Sequence, residues 1–148
     1  MRIQLREANA GDLTQLAVLS EQLGYPQEIT QFKKNFELVS KSSEHRLIVA
    51  ESFASELPVV IAAALFKKNV SLFTEPMLDI TGLVVDDAYR GHGVGKLFLS
   101  EAEKVCREWG YSKIFLSSNI KRERAHQFYL REGFTQMKTS YKFEKTVK

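Results

Sequence analysis

Ile80-Thr81-Gly82-Leu83-Val84-Val85, followed by Asp86-Asp87-Ala88-Tyr89 and then Arg90-Gly91-His92-Gly93-Val94-Gly95, is the stretch on which the reading of this chain turns. The first six residues are apolar and β-branched enough for a strand, the next four make a polar turn, and a helical pattern begins directly after the glycines. Glycines where a strand hands over to a helix let the backbone turn tightly and present bare N–H groups. The helix N-terminus adds unpaired donors and a partial positive charge, and the combination suits a phosphate group. The same glycines also open a helix with no ligand at all, so the spacing has to decide. A Walker loop ends in Gly-Lys-Ser/Thr, whereas Gly95-Lys96 is followed by Leu97. A dinucleotide fingerprint needs its third glycine one position later than Gly95. Neither a nucleoside triphosphate nor NAD is favoured.

Beyond the glycines, Val94, Leu97, Phe98, Ala102, Val105, Cys106 and Trp109 fall on one side of a helix that Gly110 ends. Ile114-Phe115-Leu116 reads as a short strand running to Ser118, and a helix around Arg122 to Arg131 is ended by Gly133. The last segment alternates: Thr135, Met137, Thr139, Tyr141 and Phe143 share one face, and Gln136, Lys138, Ser140, Lys142 and Glu144 the other. That pattern predicts a half-buried final strand. Before the glycines, Met1 to Arg6 alternates as a strand, and Asn9 or Asp12 caps a helix carrying Leu13, Leu16, Ala17 and Leu23. Ile29, Phe32, Phe36 and Val39 mark a second helix, and Leu47–Phe53 with Val59–Phe66 a strand pair joined by the Ser55–Pro58 turn. Asn69 to Pro76 is a loop. The order is β-α-α-β-β-β-α-β-α-β, a mixed α/β sheet with helices on both faces.

The 148 residues suffice for one domain with its own core, and their formal charge of +3 is mildly basic with mixed signs. Lys121, Arg122 and Arg124 cluster before Ala125, either as a solvated helix start or as a basic rim for an anionic ligand. No aromatic-basic stripe points to nucleic acid. Cys106 is the single cysteine, so an internal disulfide is excluded and a reducing, cytoplasmic setting is expected; its place on an apolar helix face predicts a buried structural thiol. The N-terminus does not read as a signal peptide, and the apolar run from Leu57 to Phe66 is too short to cross a bilayer. No His/Cys/Asp cluster suggests a metal. His45 and His126 read as structural or exposed, and His92 as an exposed loop side chain that could titrate usefully.

Arg90-Gly91-His92-Gly93-Val94-Gly95 resembles the Arg/Gln-x-x-Gly-x-Gly/Ala signature of the GNAT superfamily of acyl-CoA N-acyltransferases. Val84-Val85-Asp86 and Tyr89-Arg90-Gly91 stand where that family has a hydrophobic strand end and a Tyr-Arg-Gly. Further on, Ala125-His126-Gln127-Phe128-Tyr129-Leu130-Arg131-Glu132-Gly133-Phe134 resembles its Ala-x-x-Phe-Tyr-x-x-x-Gly-Phe segment. The resemblance runs from Leu78 to Phe134 and is architectural before that. It implies a mixed, mostly antiparallel central sheet with helices on both faces, within a single domain over residues 1–148. It also implies that the strands ending at Val85 and near Ser118 splay apart, so that the pantetheine arm of CoA enters the gap as an extra strand would.

The activity implied is transfer of an acetyl group from acetyl-CoA to a primary amine of a small molecule or peptide by direct attack. Backbone N–H groups from Gly91 through His92, Gly93, Val94 and Gly95 to Lys96, beside Arg90, would hold the pyrophosphate. Main-chain groups of Leu83, Val84 and Val85 would hold the pantetheine and thioester, with an N–H near Val85 polarising the carbonyl. Tyr129 matches the family's tyrosine near the sulfur; a thiol of pKa about 8.5 can take a proton from a phenol of about 10. Read from periodicity alone, Tyr129 packs a core with Ala125 and Phe128. Asn119 stands near the family's CoA-binding asparagine, though its spacing to Ala125 is longer than usual, and a turn or cap role is equally open. Many relatives carry a glutamate on the strand before the glycines, where this chain has Thr81. Asp79, two residues earlier and so on the same face of that strand, is the candidate base; it is also readable as a polar residue at the strand's start.

The resemblance also implies that the acceptor site is shaped by about Glu21–Ile29, Asn69–Pro76 and the residues from Thr135 on. Two other readings remain: a non-catalytic CoA-binding or regulatory module on the same fold, motivated by the missing glutamate, and a basic interaction domain with no cofactor. The expected partners are an amine acceptor, with no nucleic acid and no membrane, in a monomer or homodimer.

Overall fold

The computed structural model describes residues 2–148. Its elements are β1 (Ile3–Glu7), α1 (Leu13–Leu23), α2 (Ile29–Lys41), β2 (His45–Ser52), β3 (Val59–Asn69), β4 (Met77–Val85), α3 (Val94–Glu108), β5 (Ile114–Phe115) and α4 (Glu123–Arg131), with 3-10 turns at Ala10–Asp12 and Asp87–Tyr89. They fall into two compact units, one ending at Ser117 and one running from Ser118 to Lys148.

The first unit holds one sheet in the order β1-β2-β3-β4-β5. The first four strands are antiparallel neighbours and β5 is parallel to β4, as the mixed, mostly antiparallel reading requires. Register assigns the faces. Val49, Ala63 and Val84 lie opposite one another across three strands and form a buried cluster with Leu16 and Leu19 of α1, against which Phe32 and Phe36 of α2 pack. Alternate residues, among them Ile48, Ala64, Phe66 and Ile80, are buried on the opposite face, the side on which α3 buries Phe98, Ala102 and Val105. Helices therefore cover both faces of this sheet.

Several local choices are legible residue by residue. Asn9 and Asp12 act together: the Asn9 side chain accepts from the Gly11 N–H at 2.9 Å while Asp12 accepts from the Asn9 N–H at 2.8 Å, closing a capping box ahead of α1. Asp12 is buried, and Arg6 meets it through two nitrogens at 2.8 Å while a third bonds Glu51 of β2 at 2.8 Å. Cys106 is buried, its sulfur bonded to the carbonyls of Tyr111 and Lys113, and burial pushes its thiol up; it is the structural thiol expected. At the end of α3 the Arg46 and Lys68 cations stand over the Trp109 ring, 5.7 and 5.4 Å from its centroid, with Tyr111 edge-on at 6.0 Å.

Two departures concern strands. Register passes from Leu65↔Gly82 to Phe66↔Ile80, so Thr81 is an extra residue in β4 and bulges it. β5 is shorter than the expected run to Ser118: its pairing with β4 is confined to Leu78↔Ile114 and Asp79↔Phe115. The bulge that follows Asp79 bends β4 and raises its twist, which ends a parallel ladder that relies on even spacing.

The larger correction lies in the second unit. α4 is followed by Gly133, whose φ of +96° ends it, and by Phe134, whose N–H returns to the Tyr129 carbonyl at 2.9 Å. The final strand expected from Thr135 to Glu144 is not formed; Met137, Tyr141 and Phe143 are 79, 90 and 92% exposed. Alternation states which face of a strand would be buried, but the backbone also needs a ladder partner, and this unit contains no strand among the described residues. The observed order is thus β-α-α-β-β-β-α-β-α.

Candidate active site

The exit of β4 is built from backbone outward. The Asp86 N–H donates to the Ile61 carbonyl at 2.8 Å, extending the ladder one residue past Val85. The Asp86 carboxylate then accepts from the Ala88 N–H at 2.9 Å, and its carbonyl from the Tyr89 N–H at 2.9 Å, which winds Asp87–Tyr89 into a 3-10 turn. Arg90 pairs with Asp87 at 2.8 Å on the surface and its Nε lies 3.4 Å from the Val85 carbonyl.

Gly91 and Gly93 have φ of +81° and +77°, left-handed values that cost an L side chain about 1 kcal/mol or more. A Cβ at either position would meet nothing within 4 Å. Conformation, not crowding, selects glycine here, and the space over the turn is open to a ligand. Gly93 is the N-cap of α3 and brings no side chain to its donors, so the first-turn N–H groups of Val94, Gly95 and Lys96 have no side-chain cap. His92 is exposed, with Nδ1 3.0 Å from the Arg90 carbonyl and 3.2 Å from that of Tyr89, so it is tied to the loop's own backbone. This cradle fits a diphosphate: bare donors, a helix N-terminus and unoccupied space.

Upstream, β4 carries Leu83, Val84 and Val85. Val84 is buried under α1, while Leu83 and Val85 are half-buried and take the opposite face by alternation. From Ile80 to Val85 no strand among the described residues pairs with β4 on the β5 side, so this edge is open within the first unit.

Asp79 is the third residue of β4 and not its start. Paired with Lys67, as Gly82 is with Leu65 and Val84 with Ala63, it faces the α1 and α2 side, and Gly82 on that face lies beneath Leu23 of α1. Burial pushes the Asp79 carboxyl above its ordinary range, and the Lys67 ammonium partly offsets this. Thr81, where relatives are expected to carry glutamate, is exposed at the bulge and donates to the Leu65 carbonyl at 3.3 Å.

The second unit carries the remaining candidates. Tyr129 lies on α4 with its ring 5.4 Å from that of Phe128 and 5.7 Å, edge-on, from that of Phe134. Burial raises its phenol and the Arg122 charge partly opposes this, so the group stays protonated at neutral pH. Asn119 opens the turn into α4: its side chain accepts from the Lys121 N–H at 2.9 Å and its carbonyl from the Arg122 N–H at 3.0 Å, with His126 Nε2 at 2.9 Å from the same carbonyl. The first unit thus gathers Asp79, Leu83–Val85 and Arg90–Lys96 along one strand and its exit; the second gathers Asn119 and Tyr129 along one turn and helix.

Gln22 escaped the sequence reading. On α1, it accepts from the Asp87 N–H at 3.0 Å and donates toward the Asp86 carboxylate at 3.4 Å. No local signal marks it, because its partners lie 64 and 65 residues away. Among the described residues no three His, Cys, Asp or Glu side chains gather as a metal site, and no helix is long and apolar enough to cross a membrane.

The sheet, with its bulged, splayed strand running into a glycine turn and a bare helix start, has the architecture that the resemblance to acyl-CoA N-acyltransferases implies, and the comparisons agree. The sequence model of the Acetyltransferase (GNAT) family matches residues 12–134. The chain belongs to that family. It is 42% identical over 69 residues to an aminoalkylphosphonate N-acetyltransferase of Salmonella typhimurium, a match covering 47% of this chain and 44% of that protein, so the chain spans less than half the length of this curated relative. Among solved structures it is similar to a transcriptional regulator from Bacillus halodurans, with 23% identity and a TM-score of 0.82 over 97% of this chain and 99% of that one. It is also similar to an aminoglycoside N-acetyltransferase in complex with CoA, with 14% identity and a TM-score of 0.84 over 99% and 96%. At such identities these two likenesses show the fold alone.

Proposed function

We propose that this chain, working as one acyltransferase domain, moves an acetyl group from acetyl-CoA to a primary amine of a small molecule or peptide by direct attack. The observation that carries the reading is the exit of β4: an edge that loses its parallel neighbour after Asp79 and runs into left-handed glycines and the uncapped start of α3. The edge suits an extended amide-bearing arm and the glycine turn suits its diphosphate. The CoA complex of the structural neighbour and the phosphonate-amine acceptor named for the Salmonella relative support a CoA thioester as donor and a small amine as acceptor.

In this reading backbone N–H groups from Gly91 to Lys96, with Arg90 beside them, bind the diphosphate, and an N–H near Val85 bonds the thioester oxygen as it gains negative charge. Asp79, whose carboxyl burial makes more basic, takes the proton that the amine must shed, directly or through water. The amine nitrogen bonds to the acyl carbon, the C–S bond breaks, and Tyr129 supplies a proton to the sulfur. Asn119 serves the CoA arm through its side-chain nitrogen while its oxygen holds the turn. The buried, reduced Cys106 suits a cytoplasmic setting.

The test is a calorimetric titration with acetyl-CoA, CoA, ATP and NAD, followed by an amine screen read by thiol release. Selective binding of acetyl-CoA and CoA is expected, with about 2.7 kcal/mol of added stability at a hundredfold excess over Kd. Amine-dependent thiol release is expected with small primary amines, aminoalkylphosphonates included. A folded chain that binds no CoA overturns the reading. Binding without release from any amine class would make it instead a non-catalytic CoA-binding module, the alternative that the threonine at position 81 motivates.

A further inference from the structure

α1 is already fixed by its apolar side: Leu16 and Leu19 are buried in the sheet cluster, and Leu23 lies over Gly82, where an added Cβ would come to 3.8 Å. Gln22, half-buried in the same last turn, adds nothing to that apolar contact. It reaches past the end of β4 instead, to the N–H of Asp87 at 3.0 Å and the carboxylate of Asp86 at 3.4 Å. Both partners shape the chain that leads into the glycine loop. Asp86 caps the 3-10 turn through the Ala88 N–H, and Asp87 is the first residue of that turn and the salt-bridge partner of Arg90. Gly91 comes next in the chain.

On its other side Gln22 lies just before the connection to α2. That connection is itself tied down at its start: the Gly24 N–H bonds the Glu21 carbonyl, the Tyr25 N–H the Ser20 carbonyl at 3.0 Å, and the Ser20 hydroxyl donates to the Tyr25 carbonyl at 2.8 Å. Beyond it Tyr25 to Glu28 are exposed. One amide side chain therefore joins the last turn of α1, from which the α1–α2 connection departs, to the turn that sets the glycine loop.

We propose that Gln22 is a positioning residue: it sets the turn from which the phosphate-facing donors project, and it transmits occupancy of that loop to residues 25–28 of the α1–α2 connection. The proposal rests on the acetyl-CoA reading of the β4 exit. It explains a polar side chain placed across the seam between α1 and the β4 exit, where an apolar residue would cover the same surface without fixing the turn.

The experiment titrates acetyl-CoA into the wild-type chain, Gln22→Ala and the near-isosteric Gln22→Met, and follows amide hydrogen exchange of Tyr25, Gln27 and Glu28 with and without CoA. The wild-type titration tests the acetyl-CoA reading, and the variant-to-wild-type ratio tests the role of Gln22. Both variants are expected to bind about five- to tenfold more weakly, the size of one or two hydrogen bonds. Exchange at these three amides is expected to slow on CoA addition in the wild type and not in the variants. A helix-anchoring role alone would lower the melting temperature and leave that exchange response in place. Equal affinities, or an exchange response retained in Gln22→Met, overturn the proposal. A wild-type chain that binds no CoA removes it together with the reading it rests on. Where a variant melts lower, the exchange response of its folded population decides.

Discussion

β3 and the tail after Phe134 make opposite uses of apolar residues. β3 is a nearly unbroken apolar run, Val59 to Phe66, with strands on both edges and helices on both faces; Ile61, Ala62 and Phe66 are fully buried. The tail has the cleaner strand signature, strict alternation from Thr135 to Glu144, and yet among the described residues it forms no strand and Tyr141 and Phe143 are exposed. The difference shows that alternation encodes a face, whereas a strand is made by what lies along its edges. A central strand needs no alternation because both of its faces are covered.

The contrast is broken or sharpened most strongly at Phe66. Phe66→Ala removes a fully buried ring from the sheet's centre and is expected to cost about 3–5 kcal/mol by denaturant unfolding. A cost under about 1 kcal/mol would mean that the centre of the sheet is not the core. Next come the two chemical groups, one in each compact unit of the chain. Asp79→Asn is expected to lower kcat by about a hundredfold or more, the range of a general base. Because burial raises the Asp79 carboxyl, ionising it opposes folding as pH rises above its ordinary range, so the amide should leave the melting temperature unchanged or higher. Loss of both activity and stability would reassign Asp79 to structure. Tyr129→Phe is expected to slow turnover by about ten- to a hundredfold with acetyl-CoA affinity unchanged; unchanged turnover with a good amine removes its acid role.

A smaller effect is expected at the sheet's other edge. Arg6 holds the Asp12 carboxyl below its usual range, assisted by the Asn9 N–H and opposed by burial. A depressed carboxyl stabilises the fold above the unfolded value of about 4 and loses that contribution as pH falls through the folded value. Asp12→Asn should therefore flatten the acid limb of the stability curve, and an unaltered limb would show the pair to be neutral. The smallest effect is expected at Phe143, 92% exposed, where Phe143→Ala should change stability by under about 0.5 kcal/mol. A cost comparable to that of Phe66→Ala would show that the tail is covered in solution and would erase the contrast.

Much of this architecture was readable because it is local. The α3 face was given by Phe98, Ala102, Val105 and Cys106 at helical spacing, and all four are buried. Asn9 and Asp12 were expected to cap α1 itself; they close a capping box on the 3-10 turn that leads into it, and Asp12 makes no side-chain bond at α1's own N-cap. The glycine turn was read from residue order, and its left-handed backbone is what that order demands. What was missed is relational. The bulge at Thr81 depends on how β3 and β4 count against each other, and nothing within either strand announces it. Gln22 depends on partners in another part of the chain. The absent last strand depends on an edge that the segment's own residues do not provide.

Trp109 gives the division of the chain an optical consequence. It is the single tryptophan, it belongs to the first unit, and cations from β2 and β3 stand over its ring. The second unit has Tyr129 and Tyr141 but no indole. Emission excited beyond tyrosine absorption therefore reports the loosening of α3 from the sheet, while far-ultraviolet dichroism sums over α4 as well. Two melting curves recorded on one sample will superimpose if the helices open together, and a dichroism change that precedes the tryptophan signal will mark a helix other than α3 as the part that opens first.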